Sequence, residues 1–298
     1  MLLSRRRVGD EGRRTTPAYT SSNARLERQG IAVHIAVAGS SGLGVVVGVS
    51  AAPTALLTGL PPSRPEHVLL LSPRHLERRS REQAHVVVAA LPDVRVGVLA
   101  FDHHALTLTL IAAAVSELRD HPHGWAEPGE AVQLVEHAAA RSRSVLWHPR
   151  LLGLRRPVPS LAQSVASLLR GGGYVTELAG AGGLVRSGAA GPIRGAAGFA
   201  RDGAEAVYVT GDAPPVLLAQ LGEAEIRAVK VTAEPDAPYR TRRSVELCGL
   251  AAPGWGPLVQ EPCGVCSASR PPAGCLFCGT GAEGRTTPYA TAYAAATA

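Results

Sequence analysis

HVLLLSPRHLERRSREQAHVVVAALPDVRVGVLAF, residues 67–101, holds two short apolar runs on either side of a charged stretch. Residues 67–71 and 94–101 are rich in Val and Leu and too short for helices, so both read as buried strands. Between them, residues 74–90 place opposite charges four apart, Glu77 with Arg81 and Arg78 with Glu82, as a solvent-facing helix does. Strand, helix and strand in so short a span form one β-α-β unit, and its crossover makes the two strands parallel.

The alternation continues outward. Upstream, 33–38 (VHIAVA) and 45–49 (VVVGV) read as strands and 53–60 as a short helix. Downstream, helices are expected at 104–118, 130–140, 160–169 and 214–221, and strands at 144–147, 174–178, 206–210 and 226–232. The glycine-rich stretch 180–198 reads as loops. The fold class is therefore α/β: a Rossmann-like body over 30–240, with a mostly parallel sheet and helices on both faces. Division into two lobes near 180–200 is the alternative. Residues 1–29 read as a disordered Arg-rich arm, 241–280 as a four-cysteine metal module and 281–298 as a disordered tail. Arm and tail share a near-match, RTTPAYT at 14–20 and RTTPYAT at 285–291.

Composition narrows the function. Aromatics are only 4% of 298 residues, so Val, Leu and Ala must build the core. The net charge is +6, and Lys230 is the only lysine among 30 basic residues. Arginine suits phosphate, although a GC-rich genome produces the same bias. Four of the five cysteines fall in CxxC pairs, which favours a metal in a reducing, cytoplasmic setting over a secreted disulfide framework. No apolar segment follows the N-terminal arginines as a signal peptide would require. Residues 31–60 lack charge and contain Gly44-x-x-x-Gly48, a spacing seen in membrane helix pairs. Gly39-Ser40-Ser41-Gly42, Ser50 and Pro53 break the run, so no membrane span is expected.

Cys263, Cys266, Cys275 and Cys278 form C-x2-C-x8-C-x2-C-G. Four thiolates complete a tetrahedral shell and leave no position for substrate water, so the expected ion is zinc in a structural role. The pattern resembles a zinc ribbon over about 20 residues, a module expected to lie outside the core of the body. Cys248 stands apart and reads as a buried, unreactive thiol.

Gly39, Ser40, Ser41, Gly42 and Gly44 follow a strand and could bring backbone N–H groups to a phosphate. The turn is similar to that of short-chain dehydrogenases, but their Tyr-x-x-x-Lys pair is missing, since residue 226 is Ile226 ahead of Lys230. Asp102-His103-His104 resembles the DHH motif of a phosphoesterase family, without the Asp-x-Asp pair that family needs. The plainer reading makes Asp102 the cap of the next helix. His121 and His123 add to a histidine-rich region. Residues 45–57 and 67–73 resemble the opening of CRISPR-associated Rossmann-fold sensor domains, which implies that Ser50 and Thr54 help to bind a nucleotide. The expected function is a zinc-containing protein that binds a nucleotide or nucleic acid. The alternatives are a phosphate-handling enzyme with its site at the strand ends, or an interaction protein with a protein partner or a second copy.

Overall fold

A computed structural model of the chain describes residues 35–37, 43–47, 67–119, 128–169, 173–177, 184–186, 206–210, 213–221, 225–229, 241, 243–250, 261–263, 269–270 and 275–277. Its secondary structure is mixed α/β, built on two main sheets.

The first sheet has the order β1 (Ile35–Val37), β2 (Leu43–Val47), β3 (His67–Pro73), β4 (Arg95–Phe101). β2, β3 and β4 run parallel, as the β-α-β unit requires, and β1 is antiparallel to β2. After a single 3-10 turn at Arg74–Leu76, helix α1 (Glu77–Ala90) crosses one face. Its outer side carries the expected Arg81–Glu77 and Arg78–Glu82 pairs. Strand alternation divides the sheet's apolar side chains. Val68, Leu70, Val96 and Val98 meet Ala84 and Val87 of α1. Leu69 and Leu71 point the other way, into a core with α2 (Ala105–Arg119) and α3 (Pro128–Arg141).

The second sheet contains β5 (Arg143–His148), β6 (Tyr174–Glu177), β7 (Leu184–Arg186), β8 (Val207–Thr210), β9 (Ile226–Val229) and β10 (Val245–Gly249). Their order is β7-β6-β5-β10-β8-β9. Only β8 and β9 pair in parallel; β5 is antiparallel to both β6 and β10. Helix α4 (Leu161–Leu169) joins β5 to β6, and α5 (Pro215–Leu221) packs Leu217 and Leu221 on this sheet with Val145, Trp147 and Leu247.

Two expectations are corrected here. A single, mostly parallel Rossmann-like sheet is replaced by two sheets, which change over at α2 and α3 rather than near 180–200. Continuous apolar runs report burial on both faces, not the direction of pairing. Strand β10, which lies past the expected end of the body at 240, is central in the second sheet and sets the direction of β5 and β8.

The cysteine region is not outside the core. Strands β11 (Glu261–Pro262) and β12 (Ser269–Arg270) pair antiparallel. Cys263, Cys275 and Phe277 are buried in the cluster that holds Leu69, Leu71, Val132 and Leu134. Phe277 meets the His67 ring edge-on at 5.0 Å. Gly97 of β4 leaves room for the two residues beside it, because a Cβ there would stand 2.9 Å from Leu276 and 3.3 Å from Phe277. Among the described residues no helix is long and apolar enough to cross a membrane.

Candidate functional site

The C-terminal ends of β3 and β4 gather the polar side chains that the apolar strands exclude. Parallel strands end on the same side, and α1 and α2 begin there, so each strand hands its last residues to a helix start. β3 finishes with Ser72 and Pro73, followed by Arg74 and His75. β4 finishes at Phe101, followed by Asp102, His103 and His104.

Arg74 Nε donates to both Asp102 oxygens, at 3.0 and 3.1 Å. The arginine side chain remains 59% exposed, so its charge reaches solvent. The His75 and His104 rings lie 6.4 Å apart, edge to face. Ser72, fully buried, shares a 2.7 Å hydrogen bond with Ser80 on α1, which ties the end of β3 to that helix. His103 points inward and donates from Nε2 to the Ala139 carbonyl at 2.8 Å. Burial lowers its pKa, against weaker raising effects from that hydrogen bond and from Asp102. His103 is therefore a neutral core residue that ties β4 to α3. The edge thus exposes one cation and the carboxylate it pairs with, beside the half-buried His75 and the buried His104. Such a set can orient an anionic group by charge-assisted hydrogen bonds.

Asp102 does not cap α2, because its carboxylate is turned to Arg74. That role falls to Glu246 of β10, which accepts from the backbone N–H groups of Leu106 and Thr107, each at 3.1 Å. A helix start normally attracts anions; here the buried side chain of Glu246 already fills the place. Cys248, two residues on, is fully buried, and its thiol pKa is pushed up to about 12, chiefly by burial. It is an inert core thiol, as expected from its isolation.

Of the glycine turn, Gly39, Ser40, Ser41 and Gly42 lie outside the described residues, as do Ser50, Thr54, His121 and His123. Gly44 falls within β2 and pairs with Val37 of antiparallel β1. Cys263 and Cys275 are buried in one cluster, whereas Cys266 and Cys278 lie outside the described residues. Among the described residues no group of three or more His, Cys, Asp or Glu side chains is placed to hold an ion. Arg74, His75 and Glu246 were not singled out from sequence. The first two were absorbed into a helix reading, and Glu246 interrupts what would otherwise be a plain apolar run.

No family model matches the chain, and no curated protein matches it. Its structure is similar to that of a DegV family protein from Corynebacterium glutamicum, at TM-score 0.45 and 16% identity over 74% of this chain and 87% of that one. It is also similar to a DegV family protein from Eubacterium eligens loaded with heptadecanoic acid, at TM-score 0.47 and 10% identity over 62% and 73%. A third is the fatty acid kinase B3 protein of Streptococcus pneumoniae loaded with linoleic acid, at TM-score 0.46 and 12% identity over 69% and 77%. The resemblances to a CRISPR-associated sensor and to a zinc ribbon are corrected accordingly. So are the expectations of nucleotide or nucleic-acid binding and of phosphoesterase-like chemistry: the similar structures include proteins loaded with fatty acids.

Proposed function

We propose that the chain binds a fatty acid and receives its carboxylate at the ends of β3 and β4. The observation that carries this reading is the convergence of Arg74, His75 and His104 at the ends of strands whose Leu69, Leu71, Leu99 and Phe101 belong to the apolar core beneath. An anionic head needs a cation and N–H donors, and a hydrocarbon tail needs apolar walls. Open α/β sheets take their ligands at this edge. The ligand class is that named for the Eubacterium eligens and Streptococcus pneumoniae proteins. The test is a titration of purified protein with oleate, followed by displacement of a fluorescent fatty acid. Saturable binding that weakens in Arg74→Ala is expected. Absence of binding, or equal affinity in that variant, sinks the assignment of this edge.

We also propose that Cys263, Cys266, Cys275 and Cys278 hold one zinc ion as a structural staple. The spacing supports the ligand set, and the burial of Cys263 and Cys275 in one cluster supports its placement against the first sheet. Elemental analysis after zinc-supplemented expression tests it, and protein free of zinc would remove the proposal.

A further inference from the structure

Helix α4 is packed inside out. Its one buried side chain is Ser167, whose Oγ donates to the Ser164 carbonyl and accepts from the Leu151 N–H. Tyr174 Oη donates to the Gln163 carbonyl at 3.4 Å on the same flank. The apolar side chains point away from the protein: Leu161 is 83% exposed, Val165 48%, Leu168 52% and Leu169 79%. At the 3.6-residue period these four positions span an arc of about 100° on the side opposite Ser167. Leu152 and Val158, in the segment that leads into the helix, are 76% and 81% exposed. Scattered exposed leucines are ordinary, but six large aliphatic side chains within one short segment, four on one helix face, are not.

The charge carried by the chain along this segment has one sign. Residues 149–176 contain Arg150, Arg155, Arg156 and Arg170 and no Asp or Glu. Arg150, Arg155 and Arg156 are exposed, and among the described residues none of the three pairs with a carboxylate. An aliphatic face beside unneutralised arginines matches the two-part chemistry of an anionic lipid surface, hydrocarbon below and phosphate above.

We propose that α4 and the segment before it dock on the surface of a membrane containing anionic lipid, with Leu161, Val165 and Leu168 entering the acyl boundary. Arg155 and Arg156 sit at the level of the phosphates. Nothing in this docking requires a ligand at the strand-end edge, and it stands apart from the fatty-acid reading. The attachment is peripheral, since a nine-residue helix is far too short to span.

The test is co-sedimentation of the full chain with vesicles of phosphatidylcholine alone and of phosphatidylcholine with phosphatidylglycerol. Binding is expected to the anionic vesicles only, and to fall with added salt. Leu161→Asp with Leu168→Asp should abolish it, and Arg155→Gln with Arg156→Gln should weaken it about tenfold or more. All four positions are exposed, so circular dichroism and melting temperature should match wild type, and oleate affinity should not change. That last readout separates failure of this docking from failure of the proposed ligand site. The inference is overturned if the anionic vesicles are not bound at low salt, or are bound equally by the Leu161→Asp, Leu168→Asp protein. It is also overturned if the patch drives self-association in solution, with wild type dimeric, the aspartate variant monomeric and neither bound to vesicles.

Discussion

The Glu246 carboxylate lies 3.1 Å from the backbone nitrogen of Thr107 and 3.4 Å from its hydroxyl, joining a central strand of one sheet to the helix that covers the other. Glu246 is fully buried and also accepts from the Leu106 N–H. Its own N–H donates to Thr210 Oγ1 at 2.8 Å. Replacing it with Ala leaves two buried N–H donors at the start of α2 without an acceptor. A loss of about 2–4 kcal/mol is expected for Glu246→Ala, and less for Glu246→Gln, which keeps one acceptor oxygen. Urea denaturation of the two variants beside wild type decides it. Equal, small losses would mean that water caps the helix as well as the carboxylate does.

His103 gives stability a defined dependence on pH. Burial holds its folded pKa below the ordinary value of 6.5, so the unfolded chain takes up the proton first as pH falls. The folded state should therefore lose stability on acidification from about 6.5 down to the lowered pKa, with no further loss from this group below it. His103→Gln can keep a donor to Ala139 and removes the titration. The fall in melting temperature between neutral and mildly acidic pH should be smaller in that variant. An identical fall would assign the pH dependence to another group.

Gly173 is held by the indole beside it. Its φ is +78°, and a Cβ would stand 2.5 Å from Trp147 Nε1. Strain and collision act together in Gly173→Ala, for which about 1–3 kcal/mol or more of destabilisation is expected. Trp147 is buried in the core of the second sheet, so its fluorescence should shift as well. Gly153 has a φ of +85° with nothing within 4 Å of a Cβ, and Gly153→Ala supplies the control for backbone strain alone.

The parts of this structure that could be read in advance are those with local signals. The β3-α1-β4 unit follows from apolar runs and from the Arg81–Glu77 and Arg78–Glu82 pairs, all within one short span. The helices from α2 to α5 fall within a few residues of their expected places for the same reason. What was hidden depends on partners distant in sequence. The direction of β5 is set by β10, and the cap of α2 comes from Glu246, about 140 residues on. Val245 and Leu247 alternate with Glu246 and Cys248, which is a strand signal, but nothing local says where the strand pairs. At the candidate site, Asp102 and the two histidines after it stood out as residue types. Arg74 did not, because its partner Asp102 is brought to it only when β3 and β4 align.

The docking of the cysteine region on β4 makes a prediction that separates architecture from metal binding. Gly97 lies under Leu276, and an added Cβ would stand 2.9 Å from both Leu276 Cγ and Cδ2. Because Cγ, and not only a terminal methyl, is one of the colliding atoms, rotation about χ2 alone cannot relieve the contact. Gly97→Ala should therefore push residues 275–277 away from β4 and destabilise the first sheet by about 1–3 kcal/mol. Leu276→Ala alone opens a small gap and should cost less than burial of a complete leucine would suggest, since Leu276 is only partly buried. Combined, the two substitutions should recover part of the loss, because the alanine at 276 vacates the volume that the new methyl group needs. The sign of that coupling tests the packing, and zinc content measured on the same proteins tests the staple. If four thiolates hold the ion, Gly97→Ala should keep zinc while losing stability, since the ligands move as one unit. Chelation should then destabilise wild type more than the variant whose module is already displaced. Simple additivity of the two substitutions would mean that Leu276 does not rest on Gly97 in solution.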